Sequence, residues 1–388
     1  MPIVSLRRCD SYGLSVLETR VRELLEPLGG LSTFVRPGDR VLLKPNLVMP
    51  VRPRRAITTH PALVEAMARL VREAGGEPFV IDSPGGPLHN PIGMRRLYRD
   101  TGLRAVADRM GFELRTEADV MYASVPEGGL LKQIELLEVM EEADVIIGLP
   151  KFKTHDLTTI TGAMKLLFGL VPGMLKPGYH SKLENVDRFC DMLLDIIACV
   201  KPDLFVMDGV WGLEGEGPSL GGKARELDLL MASADAVAMD AVMCDLIGVD
   251  PHDLALFRAA KRRGWWPQSI DVVGDPSEEM EIANFALPPS AHITSRMVET
   301  GLLTRLSAWL FVPNPVPRAD RCTACGTCVK TCPRDAIRIV ETSDSCRVAV
   351  VDYGRCIRCY CCQEMCPEGA IDLETRWLGR LLQKLGVQ

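Results

Sequence analysis

The chain reads Cys322-Thr-Ala-Cys325-Gly-Thr-Cys328-Val-Lys-Thr-Cys332-Pro333 and then, in the same spacing, Cys356-Ile-Arg-Cys359-Tyr-Cys-Cys362-Gln-Glu-Met-Cys366-Pro367. Three thiolates two residues apart can cover three corners of an iron-sulfur cube. The fourth, just before a proline that turns the chain away, reaches the other cube. The spacing therefore assigns Cys322, Cys325, Cys328 and Cys366 to one [4Fe-4S] cluster and Cys356, Cys359, Cys362 and Cys332 to a second. The competing readings are a disulfide framework, which belongs to small secreted domains, and a zinc ribbon, which draws four ligands from two pairs. Both suit this pattern less well.

The two repeats carry matching tails, Arg334-Asp-Ala-Ile-Arg-Ile and Glu368-Gly-Ala-Ile-Asp-Leu, so each half reads as a Cys loop, a short turn and a small strand. Residues 318–375 are similar to the bacterial two-cluster ferredoxin family, a small α+β domain. Lys and Arg nearly balance Asp and Glu there, which favours a wired-in relay over a free acidic shuttle. Of the fourteen cysteines, ten lie between Cys322 and Cys366. Cys346 and Cys361 are left without an assigned ligand role, and Cys9, Cys190, Cys199 and Cys244 read as core residues.

With 388 residues, 47% apolar and 25% charged, the chain can bury a large core. A net charge of -6 argues against a general nucleic-acid binder. No apolar run is long enough to span a bilayer, and the N-terminus has no apolar core of a signal peptide, so the expected address is cytoplasmic. The oligomeric state is not legible.

Residues 1–311, with a core at about 40–290, alternate short β-rich runs with helical patterns. This predicts an α/β domain, a mainly parallel sheet with helices on both faces. Expected strands include Arg40-Val-Leu-Leu, Pro78-Phe-Val-Ile, Asp144-Val-Ile-Ile-Gly-Leu and Asp203-Leu-Phe-Val-Met. Helices are expected over Pro61–Ala74 with Thr59 as N-cap, Arg95–Arg109, Thr158–Leu170, Asn185–Val200 and 290–311. Residues 312–317 read as a stiff Pro-rich linker, and 376–388 as a C-terminal amphipathic helix.

Ligands of open α/β sheets sit at the carboxyl ends of the strands, and four expected strands end in polar groups. Lys44 and Asn46 follow the first, and Asp82 the second. Lys151, Lys153 and His155 follow the third, on one side of an extended segment. Asp208 and the glycine-rich Glu214 loop follow the fourth. With Lys165, these make a cationic rim for a carboxylate or phosphate: His155, Lys153 and His60 are the catalytic candidates, and Lys44, Asn46, Asp82, Lys151, Lys165, Asp208 and Glu214 the substrate-binding ones. A single lysine at a loop start is more often simply solvated, and any one histidine is more often structural. His180 and Tyr179, in a segment that reads as a mobile loop, are weaker candidates. The near-P-loop Gly217-Pro-Ser-Leu-Gly-Gly222-Lys223-Ala224 lacks the Ser or Thr for magnesium, and no G-x-G-x-x-G follows a strand, so no flavin or nicotinamide motif is present.

Several strings, Lys44-Pro-Asn-Leu-Val48, Thr59-His-Pro61, Asp82-Ser-Pro84, Pro150-Lys-Phe-Lys-Thr-His155, Thr161-Gly-Ala-Met-Lys-Leu-Leu-Phe-Gly169, Asp208-Gly209 and Glu214-Gly-Glu-Gly-Pro218, resemble domain-of-unknown-function family 362, in the variant fused to a C-terminal ferredoxin. The resemblance implies an iron-sulfur protein of redox context and carries over no reaction. A looser architectural likeness to nickel-cofactor lactate racemases, without a matching motif, keeps a metal cofactor among the options. Two functions are expected to compete. One is an oxidoreductase of the ferredoxin-dependent reductase kind, whose clusters exchange single electrons with a small anionic substrate or cofactor on the rim. The other is a non-catalytic electron carrier or maturation factor that docks a redox partner protein or a cofactor precursor.

Overall fold

The computed structural model describes residues 1–88, 90–290, 311–341 and 346–376. The expected helices over 290–311 and 376–388 fall almost wholly outside these residues. The strands are, in chain order, β1 (Ile3–Arg8), β2 (Arg40–Pro45), β3 (Glu77–Val80), β4 (Glu113–Leu114), β5 (Val120–Ser124), β6 (Gln133–Leu137), β7 (Val145–Leu149), β8 (Lys151–His155), β9 (Thr159–Ile160), β10 (Leu204–Gly215), β11 (Gly222–Ser233), β12 (Asp271–Gly274), β13 (Asn314–Pro317), β14 (Ile337–Glu341), β15 (Arg347–Val351) and β16 (Ile371–Glu374).

The large sheet runs β12-β1-β11-β10-β7-β2-β3-β4, with β8 beside β10 and β9 beside β8. The run β10-β7-β2-β3-β4 is parallel, and β11 enters antiparallel between β10 and β1. The sheet is thus mixed but mainly parallel, and strand residues alternate between its two faces as period two requires. Leu42, Phe79, Ile146, Phe205 and Met231 join one buried cluster, while Val41, Leu43, Val80, Ile147 and Val206 join another. Helices Val186–Val200, Ala236–Leu246 and Ala255–Arg262 cover the first face, and Leu14–Leu25, Pro61–Glu73, Pro91–Asp100 and Leu103–Met110 cover the second. This is the expected α/β architecture. β7 is buried at every position, which is why it reads as an unbroken apolar run.

Local expectations shift in four places. The N-cap of Pro61–Glu73 is His60, whose Nδ1 accepts from the Ala62 N–H at 3.2 Å, not Thr59. The helix expected at Arg95–Arg109 breaks into two at Gly102, whose φ of +82° ends one and starts the next. The stretch from Thr158 holds β9, then a helix only at Ala163–Leu166 and a 3-10 turn to Leu170. Residues 314–317 are not a linker: β13 pairs antiparallel with β16 and so belongs to the C-terminal module. Its two prolines sit on an edge strand, where missing N–H groups cost least.

Candidate functional site

A pocket of about 700 Å³, its mouth included, opens where the parallel strands end. Each element contributes a polar group. β2 delivers Lys44, and the loop after it Asn46. The chain beyond β3 delivers Asp82, and β8 delivers Lys153. The short helix Ala163–Leu166 places Lys165, because its first two free N–H groups, at Ala163 and Met164, are held by the buried Asp240 carboxylate at 2.6 and 2.9 Å. Helix Lys176–Lys182, read from sequence as a mobile loop, supplies Lys176 and His180. Neither was among the principal sequence candidates. The clue available was their position in Lys176-Pro-Gly-Tyr-His180, shortly after the Thr161–Gly169 string.

Lys44 is fully buried and pairs with Asp82 at 3.0 Å, while Nζ also donates to Pro45 O at 2.8 Å. Burial lowers its pKa and the Asp82 charge opposes that shift. Gly169 makes this pair possible: a Cβ there would stand 2.4 Å from Lys44 Nζ and 2.5 Å from Asp82 Oδ1. Lys153 Nζ donates to Ile57 O at 2.8 Å and Pro218 O at 3.3 Å. Its pKa lies well below the ordinary value, first through burial and next through Lys165. Lys165 and Lys176 both lie over the Phe168 ring, with Nζ 5.7 and 5.3 Å from its centre. Burial brings Lys176 down to about 8. His180 stacks on Phe189 at 4.4 Å, and burial lowers it to about 3, so the ring is neutral.

Five of the sequence candidates lie outside the pocket lining. Lys151 is captured by Asp208 at 2.8 Å. Tyr12 closes that network, donating to Asp208 at 2.7 Å and accepting from Lys151 at 3.0 Å. His60 donates its backbone N–H to the same carboxylate and stacks on Tyr12 at 3.6 Å, with its Nδ1 spent on the helix cap. These residues form a closed buried brace. Glu214 is held by Arg225 at 2.9 Å and by the Ala286 N–H at 3.1 Å. His155 is buried beside the pocket, its Nδ1 accepting from Leu157 N–H at 3.0 Å and its Nε2 without a partner among the described residues. Burial, then Lys165 and Lys153, keep it neutral. The alternation expected to bring Lys151, Lys153 and His155 together fails because a carboxylate on the neighbouring strand takes Lys151.

The remaining wall of the pocket comes from the cysteine-rich module: Thr331, Cys361, Glu364 and Met365. Gly85 and Gly86 allow the approach, since a Cβ on either would meet Met365 at 3.3 Å. The Glu216 loop fastens the module, its backbone C=O accepting from Gln363 Nε2 at 3.2 Å and its carboxylate from Leu373 N–H at 3.4 Å. Within the module are two hollows of about 350 and 330 Å³. One is lined by Cys322, Cys325, Cys328 and Cys366, and the other by Cys332, Cys356, Cys359 and Cys362 with Cys361 beside them. Each hollow thus draws three cysteines from one repeat and one from the other. Among the described residues no group of three or more His, Cys, Asp or Glu forms a single-ion site. Four thiols spread around a hollow suit a cluster better than one ion.

Residues 41–245 match the family described as domain of unknown function DUF362. The chain belongs to the DUF362 family. Residues 321–370 match the 4Fe-4S dicluster domain, so behind its DUF362 domain the chain carries a 4Fe-4S-binding module with an electron-transfer role, which implies redox partners. The chain is 38% identical over 289 residues to the thylakoid-associated protein sll1697 of Synechocystis sp., covering 74% of this chain and 87% of that one. A fainter likeness is to the lactate racemase apoprotein from Thermoanaerobacterium thermosaccharolyticum, with 14% identity, a TM-score of 0.34, 58% of this chain covered and about half, 54%, of that one. Among the described residues no helix is long and apolar enough to cross a membrane.

Proposed function

We propose that this protein is an iron-sulfur oxidoreductase acting on an anionic substrate or cofactor held in the lysine pocket. Its two [4Fe-4S] clusters, one held by Cys322, Cys325, Cys328 and Cys366 and one by Cys332, Cys356, Cys359 and Cys362, would supply or accept single electrons. The observation that carries this reading is the composite wall: the strand-end pocket of the α/β domain is closed by residues 361, 364 and 365, which are interleaved with cluster-binding positions. A ligand there lies against the short segment that holds the second hollow.

The pocket's own groups divide the work. Lys153, Lys165 and Lys176 hold the anion, and in a site screened from water such charges favour negative charge that develops on the ligand. Lys44, neutralised by Asp82, orders the floor. Phe168, Leu166 and Met365 keep water out. His180 replaces His155 and His60 as the histidine at the ligand, where a neutral imidazole both donates and accepts a hydrogen bond.

The test is anaerobic purification, iron and sulfide analysis, and a screen for small anions that reoxidise the dithionite-reduced protein. A substrate should restore the oxidised spectrum, and Lys165→Met should abolish that response with iron content unchanged. An electron carrier without a substrate site would be reoxidised only by partner proteins, and the substitution would change nothing.

A further inference from the structure

Charge on the pocket wall does not balance. Four lysines, Lys44, Lys153, Lys165 and Lys176, face two carboxylates, Asp82 and Glu364. Asp82 is spent on Lys44 at 3.0 Å, and His180 is neutral. Lys153 and Lys176 reach only carbonyl oxygens, those of Ile57, Pro218 and Ser83. Lys165 has no hydrogen-bond or ion-pair partner among the described residues and meets only the face of Phe168. After Glu364 is counted, two formal positive charges remain, and the lysines that carry them without a carboxylate partner, Lys165 and Lys176, are half-buried, so a counter-charge would stabilise the site. The α/β domain has met this need elsewhere with its own acids, as Asp208 does for Lys151. The pocket is also confined, about 700 Å³ even with its open mouth included.

We propose that the pocket selects a small dianion, its two charges met by Lys165 and Lys176 with Lys153 behind them, and discriminates against monoanions of the same size. This rests on the reading of the pocket as the substrate site and narrows the substrate to a class, a tetrahedral oxyanion or a short dicarboxylate. The two ammoniums, 5.7 and 5.3 Å from the Phe168 ring centre, give the ligand two anchoring points, and Glu364 trims the charge so that a trianion is over-matched.

Isothermal titration calorimetry on the cluster-loaded full chain, at neutral pH and constant ionic strength, tests it with four probes. Sulfate and succinate are the dianions, and nitrate and propionate their monoanionic counterparts. At least one dianion should bind roughly tenfold or more tighter than its counterpart, and the preference between sulfate and succinate tells a tetrahedral ligand from a dicarboxylate. Lys165→Met and Lys176→Met should each weaken the better dianion at least roughly tenfold, whereas Glu364→Gln should tighten it. Opposite responses to removing a positive and a negative charge are not produced by general loss of structure, so the pair remains decisive even if one lysine variant folds poorly. Equal affinity for dianions and monoanions overturns the dianion class and leaves the proposed function standing. Absence of binding by all four probes overturns both.

Discussion

The Lys44–Asp82 pair offers the sharpest energetic test of how the pocket floor is built. Both side chains are almost wholly buried, at 1% and 4% exposure, and 3.0 Å apart. Asp82 also accepts the N–H groups of Leu47 at 2.8 Å and Ser83 at 2.7 Å, so the loop after β2 and the chain after β3 are tied through one carboxylate. Removing one partner leaves the other charge buried and alone, which costs about 3–5 kcal/mol, whereas removing both is far cheaper than the sum. Lys44→Met and Asp82→Asn should therefore each destabilise the α/β domain by about 3 kcal/mol, with Asp82→Asn keeping part of the backbone bonding. The double variant should recover at least about 2 kcal/mol as coupling energy. Urea unfolding followed by tryptophan fluorescence reads mainly this domain, since four of the five tryptophans, Trp211, Trp265, Trp266 and Trp309, fall within residues 1–311 and only Trp377 falls beyond them. A coupling energy under about 0.5 kcal/mol, the usual error of additivity, refutes the account of Lys44 as the neutralised lysine.

Three further outcomes are expected. Cys332→Ser should cost the hollow shared with Cys356, Cys359 and Cys362 its cluster and leave the other in place, so iron per chain should fall by about half; loss of both clusters or of neither contradicts the crossed assignment. Lys176 titrates at about 8, in the field of Asp82, Lys44, Lys165 and Glu364. It is charged below that pH, so sulfate affinity should drop by about tenfold as pH rises from about 7 to 9.5, and Lys176→Met should flatten the profile. The Asp240 carboxyl is raised by burial from 3.8 to about 7. A raised carboxyl adds stability at low pH that is lost as pH climbs through the folded value. About 2 kcal/mol should therefore disappear between about pH 5.5 and 8, with a falling thermal midpoint in wild type and a flatter one in Asp240→Asn.

The sheet was legible because β2, β3, β7 and β10 are buried on both faces and leave uninterrupted apolar runs. The cysteine module was legible because its ligands are local in sequence. The antiparallel insertion of β11 was not, since β10 and β11 each carry twelve residues with little alternation to set their direction. Among site residues, Lys44, Asn46, Asp82, Lys153 and Lys165 do line the pocket. Lys151 and His60 do not, because a lysine at a strand end looks the same in sequence whether or not an aspartate from the next strand has paired with it. Lys176, His180 and the wall at 361–365 are long-range arrivals, placed by a helix and a module that no local pattern ties to the strand ends.

That wall has an implication for how the protein matures. Residues 361 and 364 are the ends of the short helix Cys361–Glu364 and Met365 follows it, all between thiols that would grip the clusters, so the placing of this wall should depend on those clusters. A chain newly made in an iron-poor cell would therefore present an open, one-sided trough. Delivery of inorganic sulfide and iron would then act as a licensing step, so that the ligand is captured only by copies already able to exchange electrons with it.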